Sequence, residues 1–299
     1  MHRHGVVLID KHQGISSRQV VDAVMKALKV KKAGHFGALD PFATGLVCVG
    51  IGQGTKLLPY LKDRPKEYYA VIGFEMKTDT DDITGVPIEQ YPGVEVDVSR
   101  IEQWLNDHKR WFIQVPPQYC AQKQKGVPMY KLKRADKDVT PRPKQVSISE
   151  GEILSSGSDW VKIRIVCSRG TYVRAIARDI GSYLGCGGYL KELRRTQSEG
   201  FSVEQAVKLD SLAQKVAQDE SLVIPMLDVL RMPTIRVIPE GVRGIRDGRA
   251  IQISWLMDDC EVEEGERVAV VDEEMRLLCI AHVKRYEGIF GYIERGFNV

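Results

Sequence analysis

Residues 34–45 read GHFGALDPFATG, directly before the apolar run LVCVGI of residues 46–51. Three glycines and a proline restrict the backbone of this stretch, while His35 and Asp40 supply polar side chains. Polar groups on rigid loops are often functional, although Asp-Pro is also a common turn opener whose carboxylate caps nearby amides. Asp40 is therefore the first candidate for a catalytic residue, with a simple turn as the alternative.

Four further sequence blocks follow this stretch in order. They are KEY at 66–68, TDTDDITG at 78–85, CSRGTYVR at 167–174 and LRRT at 193–196. Together with residues 34–45 they resemble the signature of the TruB family of pseudouridine synthases, over about residues 5–210. Five ordered blocks are specific, whereas the tripeptide LDP alone is not. The resemblance implies an enzyme that isomerises one uridine of the tRNA TΨC loop, at tRNA position 55, to pseudouridine without a cofactor.

The resemblance also implies three catalytic residues. Asp40 matches the family carboxylate that acts either as a nucleophile or as a base toward the C2′ proton, and the sequence leaves that choice open. Arg174 matches the arginine that pairs with this carboxylate. Tyr68 matches a tyrosine that stacks on the target uracil and takes part in removing its C5 proton, with ordinary strand packing as the alternative.

Three further positions match residues that bind the substrate. Tyr172 and Leu193 correspond to residues lining the uracil pocket, and plain core packing is their alternative. His35 corresponds to a histidine that fills the space left when the target nucleotide swings out of its loop. Such flipping is needed because the uridine lies inside a folded RNA, and it costs a few kcal/mol of unstacking.

The chain departs from the family pattern at three positions. Phe36 stands where a small residue is common, and we expect its bulk to affect how the flipped loop is accommodated. His12 replaces a proline, and Glu75 replaces a glycine three residues before Thr78. None of the three removes a proposed catalytic group.

Composition is typical of a globular protein with one large and one small domain. The chain has 299 residues, 43% of them hydrophobic, and no apolar run long enough to cross a bilayer. Because residues 1–4 do not start a signal peptide, we expect a cytoplasmic protein. Six cysteines lack any CxxC or zinc-like spacing, which predicts free thiols and no metal site.

Positive charge is concentrated although the net charge is only +3. Residues 121–145 hold eight Lys or Arg against two acids, and residues 162–195 hold the same numbers. We expect both windows to present a basic surface to RNA, with solvated loops as the alternative for either one alone. The expected partner is tRNA, bound by a monomer that requires no protein partner and no membrane.

Hydrophobic patterning predicts several elements. Residues 5–10 read as a buried strand, and a helix starts at Ser16, which forms a capping box with Gln19. Residues 161–168 alternate as a half-buried strand. After Gly170 an apolar stripe predicts a helix that bears Arg174 and Arg178 on another face and ends at Gly185. The GIGQGTK run at 50–56 fits no phosphate-loop spacing and predicts a strand-ending turn.

These patterns and the resemblance predict an α+β fold. The expected catalytic domain spans residues 1–231, with a mixed, largely antiparallel sheet and a basic RNA-gripping insertion at about 116–145. Short β-rich runs at 267–271, 277–283 and 289–293 predict a small barrel within 232–299. Its position corresponds to the PUA-like domain with which many such synthases grip tRNA.

Two rival functions remain open. A non-catalytic RNA-binding protein would use the same cleft to fold tRNA, and a glycosidic-bond hydrolase would use Asp40 to release free uracil. The chain also resembles, more distantly, synthases guided by box H/ACA RNA. Its spacing and long basic insertion favour the stand-alone enzyme.

Overall fold

The computed structural model describes residues 4–61, 64–218, 221–258 and 261–298. The strands are β1 (Gly5–Lys11), β2 (Ala33–His35), β3 (Thr44–Ile51), β4 (Lys66–Gly73), β5 (Met76–Thr78), β6 (Pro87–Gln90), β7 (Arg110–Gln114), β8 (Lys123–Gln124), β9 (Val127–Pro128), β10 (Lys144–Ser156), β11 (Trp160–Cys167), β12 (Tyr189–Ser198), β13 (Phe201–Ser202), β14 (Val207–Lys208), β15 (Thr234–Arg236), β16 (Ile251–Gln252), β17 (Arg267–Val271), β18 (Leu277–Tyr286) and β19 (Ile289–Gly296). The helices are α1 (Ser17–Leu28), α2 (Val98–Asp107), α3 (Met129–Arg134), α4 (Val173–Leu184), α5 (Leu212–Ala217), α6 (Met226–Leu230) and α7 (Pro239–Arg246).

A ten-stranded sheet forms the centre of the molecule. Its main path is β14-β1-β3-β12-β4-β11-β10-β7, with β2 added to β3 and β13 added to β12. Only β1–β14 and β3–β12 pair in parallel. The predicted mixed, largely antiparallel sheet is therefore confirmed. The β3–β12 pairing brings the LRRT block directly beside the end of the loop that carries Asp40.

Both faces of this sheet are covered. In β1, Val7 and Ile9 join a core that contains apolar side chains of α1, α2 and α4. Val6 and Leu8 point to the other face, into a second core that includes residues of β17, β18 and the C-terminal Phe297. A strand buried on both sides reads as a continuous apolar run, which is how residues 5–10 are recognisable in the sequence.

The two helices next to the site begin and end as predicted. Ser16 accepts from the Gln19 N–H and the Gln19 side chain accepts from the Ser16 N–H, so the capping box of α1 is confirmed. α4 ends at Gly185, which adopts a left-handed conformation with φ 80°. Arg174 of α4 is buried and pairs with Asp40, as the resemblance implies.

The second basic window is not a basic surface, contrary to expectation. Of its eight Lys and Arg residues only Lys162 is exposed. Most of the others are in ion pairs: Arg164 with Glu67, Arg174 with Asp40, Arg178 with Asp81, Lys191 with Asp159 and Arg194 with Asp10. The window is basic because it holds the internal partners of acids that lie elsewhere in the sequence.

The first basic window does reach solvent. The segment forms the short hairpin β8–β9 followed by α3. Seven of its eight basic residues are exposed: Lys123, Lys125, Lys131, Arg134, Lys137, Arg142 and Lys144. This segment therefore carries the exposed positive charge that we expected of both windows.

A second sheet follows residue 232, with strand order β15-β17-β18-β19-β16. The three predicted β-runs correspond to β17, β18 and β19, and β18 and β19 extend beyond the predicted ends. The low-periodicity stretch before them contains α6 and α7, the latter starting at Pro239. The division of the chain at residue 232 stays a prediction.

The described cysteines and the run at residues 50–56 agree with the predictions from sequence. Cys48, Cys120, Cys167, Cys186 and Cys279 are free thiols, as predicted, while Cys260 lies outside the described residues. β3 ends at Ile51 and a 3₁₀ turn follows, so the strand-ending turn is confirmed. Within the described ranges no helix is long and apolar enough to span a membrane.

Candidate active site

Asp40 lies in the loop between β2 and β3, and the start of α1 holds this loop. Ser17 Oγ donates to the Leu39 carbonyl at 3.0 Å and accepts from the Leu39 N–H at 2.8 Å. On the other side of Asp40, the Gly14 N–H donates to the Pro41 carbonyl at 2.8 Å. Because both neighbours of Asp40 are fixed through their backbones, the loop presents its carboxylate in one position.

Lys11, the last residue of β1, also holds the loop that carries Asp40. Its ammonium lies within hydrogen-bond distance of four backbone carbonyls, those of His12, Ile15, Pro41 and Ala43. Burial lowers the pKa of Lys11 to about 8, while the nearby charge of Asp40 opposes this change. Lys11 therefore supplies both hydrogen bonds and positive charge next to the candidate carboxylate.

Arg195 holds the first half of the loop from β12. It is fully buried and donates to the carbonyls of Leu46 (2.7 Å), Gly37 (3.1 Å) and Ala38 (3.2 Å). The loop approaches β12 so closely that a Cβ on Gly45 would lie 2.2 Å from the backbone oxygen of Arg195. Gly45 also has φ 106°, so both the close approach and the conformation require glycine there.

Arg174, in the first turn of α4, binds the carboxylate of Asp40 through two hydrogen bonds. Its Nε donates to Oδ2 at 2.9 Å and its Nη2 donates to Oδ1 at 3.3 Å. The remaining N–H groups donate to the carbonyls of Thr80 at 2.8 Å and Tyr119 at 3.0 Å. The Arg174 side chain is 6% exposed but that of Asp40 is 36% exposed. The pair therefore presents one oriented carboxylate to solvent from a buried guanidinium.

The TDTDDITG block forms the wall behind Arg174. The buried Asp82 lies 3.5 Å from Arg174 Nη1, and it accepts from Thr80 Oγ1 and the Thr84 N–H at 2.9 Å each. One helical turn further along α4, Arg178 donates to Asp81 at 3.0 Å. Burial raises the pKa of Asp81 to about 6, although the charge of Arg178 opposes this change. The block fixes both arginines of α4 by ion pairs.

Tyr68 lies on β4 opposite Arg195 of β12 and is buried. Burial raises the pKa of Tyr68 to about 12, an effect that Arg195 opposes and the charge of Asp40 adds to. The phenol is therefore neutral near pH 7. Its ring belongs to the same apolar core as Leu39 and Phe42, which flank the candidate carboxylate in sequence.

Tyr172 and Leu193 lie on two sides of this core. Tyr172 is the N-cap residue of α4, and Gln114 fixes it by accepting from its N–H at 2.8 Å and donating to its carbonyl at 3.2 Å. Burial raises the pKa of Tyr172 to about 12, so this phenol is also neutral. Leu193 of β12 pairs with Ala70 and packs in the core that contains Tyr68.

His35, the last residue of β2, lies near three cationic side chains. Burial lowers the pKa of His35, and the charges of Arg195, Lys66 and Arg18 lower it further. Its Nδ1 is buried and has no hydrogen-bond partner among the residues that the structure describes. The ring is thus neutral near pH 7 and retains a free polar atom.

Two departures from the family pattern have structural explanations. The Phe36 ring is buried in the second core, 2.7 Å from where a Cβ on Gly50 would lie, which shows how its bulk is accommodated, and its effect on a flipped loop stays a prediction. Glu75 has φ 88°, which explains why glycine is usual at that position. The third, His12, lies at the surface 3.5 Å from Asp210.

Four residues that hold the site are not identifiable in this role from sequence. Ser17, Lys11, Asp82 and Arg195 act by bonding to backbone or to another side chain across long sequence separations. Asp82 and Arg195 lie inside the TDTDDITG and LRRT blocks, so the blocks themselves are the available signal. Ser17 and Lys11 have none, because nothing local distinguishes them from ordinary surface residues.

The arrangement suits carboxylate chemistry on a bound base or sugar. It offers one accessible, oriented carboxylate beside two neutral phenols and an apolar wall. Among the described residues no three His, Cys, Asp or Glu side chains are grouped so as to hold a metal ion. The rigid loop is preorganised, which lowers the reorganisation needed during reaction.

Family profiles match most of the first 234 residues. The family described as TruB family pseudouridylate synthase (N terminal domain) matches residues 25–173. The family described as tRNA pseudouridylate synthase B C-terminal domain matches residues 174–234. The second match begins at Arg174, the residue that pairs with Asp40.

Curated relatives cover nearly the whole chain. A protein of Geotalea uraniireducens described as tRNA pseudouridine synthase B is 37% identical over 88% of this chain and 87% of its own. One of Thermotoga maritima with the same description is 35% identical over 95% of this chain and 91% of its own.

The solved structures give the same fold. A chain from a structure of an H/ACA RNP bound to a substrate RNA containing 2′-deoxyuridine aligns with a TM-score of 0.72 and 22% identity. The alignment covers 99% of this chain and 85% of that one. At this identity the likeness shows the fold alone.

Proposed function

This chain belongs to the TruB family of pseudouridylate synthases, and from that membership we propose that it converts uridine 55 of the tRNA TΨC loop to pseudouridine with Asp40 as the catalytic carboxylate. The chain is thus a tRNA pseudouridine synthase, an isomerase. The observation that carries the assignment of Asp40 is its pairing through two hydrogen bonds with the buried Arg174, which leaves the carboxylate itself accessible.

The reaction breaks the C1′–N1 bond, turns the uracil and joins C5 to C1′. The C5 proton leaves and N1 gains a proton, so atoms balance without an added group. Asp40 either attacks the sugar carbon or removes the C2′ proton. In both cases Arg174 holds the carboxylate against the sugar and supplies fixed positive charge to it.

Neighbouring side chains keep the detached uracil in place. Tyr68 stacks on the ring and offers its neutral phenol near C5, while Tyr172 and Leu193 close the pocket. These assignments are supported by the burial of Tyr68 and Leu193 in one core beside the Asp40 loop. His35 occupies the space of the flipped nucleotide.

The exposed basic segment around β8–β9 grips the tRNA backbone. The PUA-like domain of residues 232–299 provides a second binding surface, for which the exposed Arg243, Arg246 and Arg249 at the end of α7 are the candidates. We also propose that the protein acts as a monomer in the cytoplasm. Sedimentation with and without tRNA measures the oligomeric state.

The test uses purified protein and an unmodified tRNA transcript. Carbodiimide treatment followed by primer extension maps pseudouridine, and we expect a new stop reporting tRNA position 55 with the wild type and none with Asp40→Asn. The matched control is Asp258→Asn, because Asp258 binds Arg236 through the same two arginine atoms, at 2.8 and 2.7 Å. This control variant should modify tRNA normally.

Other outcomes identify the rival functions. Release of free uracil by the wild type would favour a hydrolase. Equal tRNA binding without modification by the wild type would favour a non-catalytic RNA-folding protein, and full activity of Asp40→Asn would remove Asp40 from the mechanism.

A further inference from the structure

A buried ion pair lies beneath the catalytic loop and takes no part in the proposed reaction. Lys66 Nζ lies 3.1 Å from Glu199 Oε1, and the two side chains are 7% and 0% exposed. Apart from the contact with Lys66 Nζ, the two carboxylate oxygens of Glu199 have no hydrogen-bond partner among the described residues. Burying a carboxylate with so little compensation is unfavourable, so the pair contributes something other than stability.

The pair touches the loop through Gly37. A Cβ on Gly37 would lie 2.3 Å from Lys66 Nζ and 3.7 Å from Arg195 Nη1. Arg195 is the residue that donates to the carbonyls of Gly37 and Ala38. Two buried cations therefore meet at one point of the loop, three residues before Asp40.

Glu199 is the anion that offsets these two cations. Burial lowers the pKa of Lys66, Arg195 lowers it further, and Glu199 opposes both effects. The nearby thiols of Cys48 and Cys167 add no charge near pH 7, because burial raises the pKa of each to about 12. Arg64 is a further cation near Glu199, and it donates to the Glu199 backbone carbonyl at 2.9 Å. The position of Arg195 thus depends on a balance between repulsion by Lys66 and attraction by Glu199.

We propose that Lys66 and Glu199 are positioning residues, which balance the buried charge so that Arg195 stays on the loop carbonyls and Asp40 keeps its reactive position. The proposal rests on the assigned role of Asp40. Without Glu199, the two cations repel each other across Gly37. Without Lys66, the unpaired carboxylate attracts Arg195 away from the loop.

The experiment is a double-mutant cycle on catalysis. Release of tritium from tRNA labelled at uracil C5 gives kcat and KM for the wild type, Glu199→Gln, Lys66→Gln and the double variant. Because a misplacement of about 1 Å can lower a rate about 100-fold, we expect each single variant to lower kcat at least about tenfold with KM within about twofold. The double variant, which removes both charges, should return to within about threefold of the wild-type kcat.

One control tests whether the loss of any buried carboxylate lowers kcat, or only a loss that shifts the Asp40 loop. Asp272 is a buried carboxylate of the second sheet, bound to Arg276 at 2.7 Å. Asp272→Asn should lower the melting temperature without changing kcat. Gly37→Ala keeps all buried charges, but its added Cβ would displace the Lys66 ammonium. We expect this variant to lower kcat with KM unchanged. It serves as the test if a single charge variant fails to fold.

Three results would overturn the proposal. The first is a pair of single variants with lowered melting temperatures but wild-type kcat. The second is a double variant whose decrease in kcat equals the product of the two single decreases, and the third is a fully active Gly37→Ala. An inactive wild type would instead contradict the proposed function, and this would be known before any variant is measured.

Discussion

Arg174 makes four hydrogen bonds and one further contact with a carboxylate, at 3.5 Å, to three separate parts of the chain. Asp40 comes from the β2–β3 loop, Thr80 and Asp82 from the TDTDDITG block, and Tyr119 from the start of the basic insertion. A planar guanidinium with this many partners has one available orientation. The direction of the Asp40 carboxylate is thereby fixed by segments that are far apart in sequence.

Arg174→Lys tests that geometry while keeping the charge. An ammonium cannot make the two parallel hydrogen bonds, so we expect kcat to fall about 100-fold with KM within about threefold. Single-turnover kinetics with saturating enzyme measures the chemical step. Arg236→Lys, which alters the equivalent pair with Asp258, serves as the control and should retain wild-type kcat. A lysine variant with wild-type kcat would show that charge alone is sufficient.

Glu75 is the clearest case of local strain. Its φ of 88° is unfavourable for any residue with a Cβ, so Glu75→Gly should raise the free energy of unfolding by about 1 kcal/mol. Urea denaturation measures the change. Glu75→Ala keeps the Cβ and should bring no gain, and equal stabilisation by both variants would point to the removal of charge instead.

At the scale of elements, β1 and α1 act together as a clamp on the β2–β3 loop. Lys11 ends the strand and Ser17 begins the helix, and both bond to backbone atoms around Asp40. The first two described elements are therefore part of the candidate active site, and neither supplies a proposed catalytic side chain.

Ser17→Ala should weaken this clamp. It leaves the N–H and carbonyl of Leu39 without their buried partner, which costs about 1–3 kcal/mol of unfolding free energy. Urea denaturation measures this, and we expect activity to fall with it. Ser149 is exposed and donates only to the Val166 carbonyl, so Ser149→Ala should change stability by less than about 0.5 kcal/mol. Equal effects of the two variants would contradict the clamp.

The lowered pKa of Lys11 predicts that stability and activity change in opposite directions as the pH rises. Its folded-state pKa of about 8 lies below the ordinary 10.5, so the unfolded chain binds more protons between these values and stability rises with pH across that window. Activity should fall over the same range, because the neutral amine has fewer protons for the loop carbonyls. The two profiles are measured by urea denaturation and by kcat, and Lys11→Met should reduce the alkaline rise in stability, to which Lys66 also contributes because its pKa is lowered too. A wild-type kcat that stays constant above pH 8 would contradict the prediction.

Elements with strong local signals could be predicted from the sequence, and so could residues inside the family blocks. The capping box of Ser16, the helix stop at Gly185 and the pairing of Asp40 with Arg174 could all be predicted. The clamp residues could not, since their partners are backbone atoms brought close by the fold. The same applies to Glu199, whose burial against Lys66 depends on where β12 ends.

At the scale of the whole molecule, the two basic windows differ in where their charge lies. Most arginines of residues 162–195 are in ion pairs, whereas seven of the eight basic side chains of residues 121–145 are exposed. Composition alone could not separate these two windows, because both have the same excess of basic residues. Only the partners of each side chain distinguish them.

The salt dependence of tRNA binding should identify the basic segment. Lys123 and Lys125 are exposed around β8, and replacing both by Gln should reduce the slope of log affinity against log salt by about 0.7 for each phosphate that is no longer neutralised. Filter binding over a range of salt concentrations measures the slope. Lys162→Gln with Lys208→Gln removes the same exposed charge elsewhere and should leave the slope unchanged. Equal slopes for both pairs would contradict a localised grip.

The core shared by the two sheets also sets an order of events during synthesis. Val6 and Leu8 of β1 meet Leu277, Ile280 and Phe297 in one apolar cluster. A ribosome makes β1 early and Phe297 long after it, so this cluster stays open while the intervening chain is produced. Until then one face of the catalytic sheet lacks part of its cover. The uncovered apolar face is therefore accessible to chaperones during that interval.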